Sequence, residues 1–176
     1  MIQDFVDAVG KVVDEKVADL HTALPAEIVE FNQESCTVDV VPKAKITLSS
    51  GKTFEYPRIN DVPILFPCGM GNDAVIVYPV KKGDGCLLIF SEQSLDYWQS
   101  RGVTSSEMKF SLSSAIAIPG LFARPAADIG DAVKTNSIII RNGSNKIGIS
   151  KEKITIQGDI ELEGNLTING EIKSNK

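Results

Sequence analysis

From Ile154 onward the chain repeats every six residues: Ile154-Thr-Ile156-Gln-Gly158-Asp, Ile160-Glu-Leu162-Glu-Gly164-Asn, Leu166-Thr-Ile168-Asn-Gly170-Glu, then Ile172. Every even position from 154 to 172 is Ile, Leu or Gly, and every odd position is Thr, Gln, Asp, Glu or Asn. Alternation with period two marks extended backbone with one buried face. The run is several times longer than the ~5–6 residues of an ordinary strand. A glycine in every third inward slot gives a backbone that bends where no side chain fits. A fixed hexapeptide period points to a β-helix or β-solenoid.

Such a repeat cannot bury its own apolar face and needs stacked neighbours. Three hexads make about one coil of a single-chain β-helix, and one coil encloses no core. The neighbours must therefore come from other chains. Three copies wrapped around one axis would each supply one wall, with Ile154, Ile156, Gly158, Ile160, Leu162, Gly164, Leu166, Ile168, Gly170 and Ile172 filling the centre. The segment reads as one strand of an intertwined, triple-stranded β-helix, and at ~3.3 Å per residue it would span roughly 60 Å if straight.

The rest of the chain has room for one ordinary domain. It is 176 residues long with a net charge of −5 and a pI of about 4.9. An acidic balance excludes nucleic acid as the expected partner, because Lys and Arg on phosphates dominate that affinity. No stretch approaches the ~20 apolar residues of a membrane helix. The N-terminus shows no basic segment followed by an apolar one, so the reading is a protein assembled in a cytoplasm. Cys36, Cys68 and Cys86 form no C-x-x-C pair and read as three buried thiols in strands.

Four segments follow. Residues 1–24 read as an amphipathic helix, with Ile2, Val6, Val9, Val13, Val17, Leu20 and Leu24 at spacings of three and four, widened by Phe5 and Val12, and stopped by Pro25. It packs either on its own domain or against sister chains or a partner; the sequence leaves both open. His21, near its end, reads as a surface or capping residue. Residues 25–124 read as a barrel. Strands at 27–31 and 36–41, 44–48 and 53–56, 62–66, and 74–78 and 85–90 flank turn-forming stretches, which fits five or six short strands of an OB-type barrel. Ser94 is a candidate N-cap for a helical turn carrying Tyr97 and Trp98, an aromatic pair expected to close the barrel rather than stack on bases or sugars. Residues 125–136, with Pro125 and Gly130, read as a linker. Residues 137–176 read as the β-helix, entered through short strands at 137–140 and 146–149 with a turn at Asn142-Gly143. The fold class is thus mainly β.

A family resemblance rests on ordered stretches: Val62-Pro-Ile-Leu-Phe-Pro67, then Pro79-Val-Lys-Lys-Gly83-Asp84-Gly85-Cys-Leu-Leu-Ile-Phe90, then Ser94-Leu-Asp96-Tyr-Trp98, then Ser113-Ser-Ala-Ile-Ala-Ile-Pro119-Gly120-Leu. With the hexads behind them, these resemble the central tail spike, or membrane-puncturing baseplate protein, of contractile-tailed bacteriophages and related injection particles. By motif the resemblance covers roughly residues 25–125. It implies an OB-fold barrel followed by a triple-stranded β-helix in a homotrimer, located at the baseplate of the virion tail. It implies a hub or baseplate protein at the barrel end and the host cell envelope as target. Two departures stand out. Family members often carry His and Asp before the Ala-Ile-Pro-Gly region, where this chain reads Phe110-Ser-Leu-Ser-Ser. Many also end in a point holding iron through His-x-His, whereas this chain has no His after His21. Either a separate tip protein supplies the point or the tip is blunt or different; no metal and no cofactor are expected.

No catalytic constellation is readable. Ser/His/Asp or Cys/His chemistry would need His21, which has no orienting partner in the sequence. Asp159, Glu161 and Glu163 lie on the odd, solvent-facing side of the repeat, not as one buried and one polar acid. Gly83-Asp84-Gly85 and Cys68-Gly69-Met70-Gly71 are not followed by a helix, so neither cradles a phosphate. The expectation is a structural, non-enzymatic protein. The alternative is a trimeric tail-fibre segment or adhesin whose barrel binds a glycan.

Overall fold

The computed structural model describes residues 2–18, 20–47, 51–100, 109–124 and 126–173. The chain divides into two compact units, Met1–Ala123 and Arg124–Lys176.

The first unit opens with helix α1 (Ile2–Ala18), followed by strands β1 (Ala23–Asn32), β2 (Thr37–Pro42), β3 (Lys45–Thr47), β4 (Thr53–Glu55), β5 (Ile59–Pro63), β6 (Cys68–Gly69), β7 (Ala74–Val75) and β8 (Gly85–Phe90). Helix α2 (Asp96–Ser100) and strand β9 (Ala115–Pro119) complete it. Five strands form one antiparallel sheet in the order β5-β2-β1-β8-β9. Its edges meet: Ile64 bridges Ala117 in parallel, and the Leu65 N–H donates to the Ala117 carbonyl at 2.8 Å. The sheet is therefore curled nearly shut, which leaves few unpaired edge groups.

Alternation sets what goes inside. Val38 and Val40 on β2, Cys86, Leu88 and Phe90 on β8, and Ala115 and Ala117 on β9 are buried, while the residues between them on each strand are not. β1 adds Ala26 and Ile28, β5 adds Ile59 and Val62, and these eleven side chains form the core. Small residues on β9 leave room for the larger ones on β8, as a narrow barrel requires.

Gly85 explains the Gly-Asp-Gly motif. A Cβ there would collide with the backbone carbonyl of Leu121, and the Gly85 carbonyl accepts from the Gly120 N–H at 3.0 Å. Gly83 turns the chain at φ 93, and the Asp84 carboxylate accepts from the Lys81 N–H at 2.9 Å. The motif is a turn that seats β8 against the segment following β9.

Several expectations are corrected here. α1 ends at Ala18, and Ala23, Leu24 and Pro25 belong to β1. Pro25 has no N–H to donate, yet its carbonyl accepts from the Lys43 N–H at 2.7 Å, and pairing with β8 outweighs the helical spacing of Leu24. His21 follows the helix rather than sitting in it. Its ring is half-buried between Tyr56 (5.8 Å) and Phe90 (5.5 Å). Of the three thiols only Cys86 is buried; Cys36 and Cys68 are exposed, Cys36 because it occupies the β1–β2 turn at φ 53. The strand expected over 74–78 shortens to β7, and Ile76, Val77 and Tyr78 run exposed beyond it. Tyr97 and Trp98 do not close the barrel: on α2 they are 62% and 75% exposed. The 44–48 strand is β3, with its expected Leu48 end and the following Ser49 and Ser50 outside the described residues.

The second unit begins with a helix where a linker was expected. α3 (Ala127–Thr135) has Asp128 in its first turn and Lys134 in its last, each complementing the helix dipole. Asn136 closes it in the left-handed conformation, its N–H meeting the carbonyls of Ala132 and Val133. Pro125 lies outside the described residues. Strands β10 (Ile138–Asn142), β11 (Asn145–Ile149) and β12 (Ile154–Gln157) then form an antiparallel meander. Within the hexads β12 is the only stretch that forms a strand; 158–173 is non-helical and exposed, with bends at Gly158 and Gly164.

Candidate functional site: an open isoleucine face

The meander places six isoleucines in two cross-strand rows. Ile138 faces Ile149, which faces Ile154; Ile140 faces Ile147, which faces Ile156. Residues opposite one another in an antiparallel ladder point to the same side, so one face of this small sheet carries six isoleucines, with the Asn142–Asn145 pair at its turn end. Among the described residues most of it is left open. Ile138, Ile140, Ile154 and Ile156 are 54–65% exposed.

The opposite face is mixed, with Ile139 and Gly148 in its middle register and polar side chains around them. It carries Arg141, Lys146 and Thr155 in alternate register, and the Arg141 guanidinium donates to the Asp128 carboxylate of α3 at 2.6 Å. Lys146 reaches the same carboxylate at 3.5 Å. An open groove of about 360 Å³ lies there, lined by residues that include Ser137, Lys146, Ser150, Lys153 and Thr155. These ion pairs hold the helix on that side and leave the isoleucine side open.

The isoleucine face continues into the hexads. Ile160, Leu162, Leu166, Ile168 and Ile172 are all exposed, between 48% and 79%. Gly158 and Gly164, six residues apart, adopt nearly identical φ of 124 and 125, a conformation that side-chain-bearing residues rarely enter. A Cβ at Gly158 would also strike the Asn145 side chain. The six-residue period is thus a period of backbone shape, in which two outward-inward pairs are followed by a bend. Gly170 does not share the positive φ. Soluble monomers seldom leave so continuous an apolar surface open, and such surfaces mark interaction sites.

The sequence-based set of ten residues from Ile154 to Ile172 therefore lies on one continuous exposed segment. Ile138, Ile140, Ile147 and Ile149 extend it and were missed. Their signal was the same period two on either side of Asn142-Gly143, a strong hairpin turn.

The barrel surface offers a different chemistry. Arg58 donates through Nε to Asp39 at 3.1 Å and through Nη2 to Glu30 at 2.7 Å, and its Nη2 also contacts Asp39. The Asp61 N–H, at a φ of 55, donates to the other Asp39 oxygen at 2.9 Å. Partial burial pushes the Asp39 carboxyl up, but Arg58 and the Asp61 N–H together outweigh it and hold it below its ordinary value. This is a clamp across β1, β2 and β5 in which both carboxylates are engaged by Arg58, and Asp39 also by the Asp61 N–H. Burial pushes the Cys86 thiol up to about 11, which keeps it protonated and inert. Among the described residues no group of three or more His, Cys, Asp or Glu could hold a metal.

Residues 24–120, more than half of the chain, match the phage protein Gp138 N-terminal domain family. The chain belongs to that family and is a structural protein of a bacteriophage, a component of the virion. No curated protein sequence matches it.

Proposed function

We propose that this chain is the trimeric central spike at the tip of a contractile phage tail, a non-enzymatic part of the baseplate that pierces the host cell envelope. The observation that carries this reading is the open apolar face from Ile138 to Ile172, with glycine bends at a six-residue period. Three such faces turned inward around one axis bury each other and pair the backbone of residues 158–173 between chains. The curled sheet, with its order β5-β2-β1-β8-β9 and the parallel Ile64–Ala117 contact, supports reading it as an OB-type barrel and as the platform that a tail hub would hold.

The mechanism is stiffness. A triple-stranded β-helix pairs its backbone groups between chains around a dry Ile/Leu core, so it carries an axial load without an exposed edge to peel. Burying an Ile or Leu is worth roughly 1.5–3 kcal/mol. The seven such side chains from Ile154 to Ile172 retain about half to four-fifths of their exposure in the single chain, so association gains roughly 7–14 kcal/mol per chain before its entropic cost. The acids Asp159, Glu161 and Glu163 stay outside, keep the shaft soluble and discourage edge pairing before assembly. Sheath contraction supplies the force. No cofactor, metal or nucleic acid takes part; the partners are two sister chains, the hub, a separate tip protein where one is present, and the envelope.

Light scattering behind a sizing column tests this directly. A mass three times the 19.0 kDa of one chain supports the spike; a stable folded monomer refutes it. A second reading, a trimeric tail-fibre or adhesin segment with a glycan-binding barrel, is favoured by the exposed Tyr97 and Trp98, since aromatic faces stack on sugars. Binding on a glycan array that disappears with Trp98→Ala would establish it.

A further inference from the structure

We propose that α1 is a second self-assembly element, a parallel three-stranded coiled coil formed by three copies of this chain. The proposal rests on the trimeric reading above and adds an interface to it. Ile2, Val6, Val9, Val13 and Lys16 step along α1 by four, three, four and three residues, and Leu20 follows by four just beyond the helix. Within the helix, from Ile2 to Lys16, that is an a/d heptad seam with one charged position. Phe5, Val12 and Val17 flank it, so the apolar arc is wider than a two-stranded seam needs. Each of these apolar side chains is at least 45% exposed in the single chain. The barrel therefore leaves the stripe largely uncovered.

Three features favour sister chains as the occupant. Ile2 and Val9 at d and Val6 and Val13 at a put β-branched residues at both kinds of seam position, and Ile at both shifts preference from dimers toward trimers and tetramers. Asp4, Asp7 and Asp14 lie on the opposite face, with Lys11 the one basic residue there. An acidic outer face suits solvent and disfavours an anionic lipid surface, which selects basic amphipathic helices. Finally, a helix of 17 residues associates weakly alone, but three copies tethered to one trimer meet at high effective concentration. Lys16, at a d position, is a single charge in the seam and costs stability there.

The test uses the full chain with Cys36→Ser and Cys68→Ser, so that buried Cys86 is the remaining native thiol. Spin labels are placed in turn at Asp7→Cys and Asp14→Cys, two turns apart on the outer face, and distances between chains are read by pulsed electron resonance alongside solution mass. A trimeric mass with one narrow distance, equal at both positions and broadened by Val9→Asp with Val13→Asp at unchanged mass, supports the coiled coil. Parallel helices keep constant spacing, so unequal distances place α1 on the barrel and overturn it. A trimeric mass with broad distances at both positions also overturns it while leaving the spike intact. A monomeric mass removes the trimeric reading and this inference together.

Discussion

If three chains assemble through the hexads as proposed, truncating one apolar side chain of the repeat gives a quantitative measure of that assembly. Ile160 is 61% exposed in the single chain, so the isolated fold should tolerate Ile160→Ala with little loss. In a trimer the same change removes about three carbons per chain, each worth about 0.8 kcal/mol when fully buried. Scaled by the exposure that assembly would remove, that is about 1.5 kcal/mol per chain. Three chains lose about 4 kcal/mol, or about a thousandfold in the trimer association constant at 1.4 kcal/mol per decade; any unfilled cavity adds to the loss. Sedimentation equilibrium over a dilution series would read this as dissociation at higher concentration than the parent. Glu161→Ala, one residue away on the acidic side, should leave the midpoint unmoved or shift it slightly toward the trimer. Equal shifts from the two variants would refute the inward and outward assignment.

Other consequences concern the barrel. Gly85→Ala drives a Cβ into the Leu121 backbone, which cannot swing aside, and should lower stability by about 3 kcal/mol, the upper end of overpacking costs, in urea unfolding. The Asp39 carboxyl is held below its ordinary value of 3.8, so its contribution is complete above about pH 4 and fades as pH falls through the lowered value. Asp39→Asn should therefore be less stable at neutral pH and show a shallower acid limb; parallel limbs in urea midpoints against pH would contradict this. At pH 8 a maleimide should modify exposed Cys36 and Cys68 quickly and reach Cys86, with its thiol raised to about 11, only on unfolding; three fast thiols would mean the barrel opens.

Much of the barrel was legible because burial follows a period of two. Val38 and Val40, or Cys86 and Leu88, declare their side in the sequence alone. Segment ends were less legible. Leu20 and Leu24 continue a helical stripe, and nothing local says that Ala23–Glu27 will instead pair with β8. α3 was hidden by Gly130 and by its brevity, although Asp128, Ile129, Val133 and Lys134 carry the helical signal. The clamp of Arg58 with Glu30 and Asp39 joins residues 28 and 19 apart, a distance over which sequence spacing carries no geometric information.

The sequence by itself determined that residues 154–172 form an extended, one-faced repeat with a bend every six residues, because glycine and alternation act through local sterics and need no partner. It also set which side chains alternate with the polar ones along that repeat. Tertiary structure decided the rest. It placed Ile138, Ile140, Ile147 and Ile149 in the same rows as Ile154 and Ile156, turned Gly85 into a point of backbone contact with Leu121, and left Trp98 outside the barrel rather than within it. Each of these depends on which distant segments meet, and strand pairing across long loops is chosen by the packing of the whole sheet.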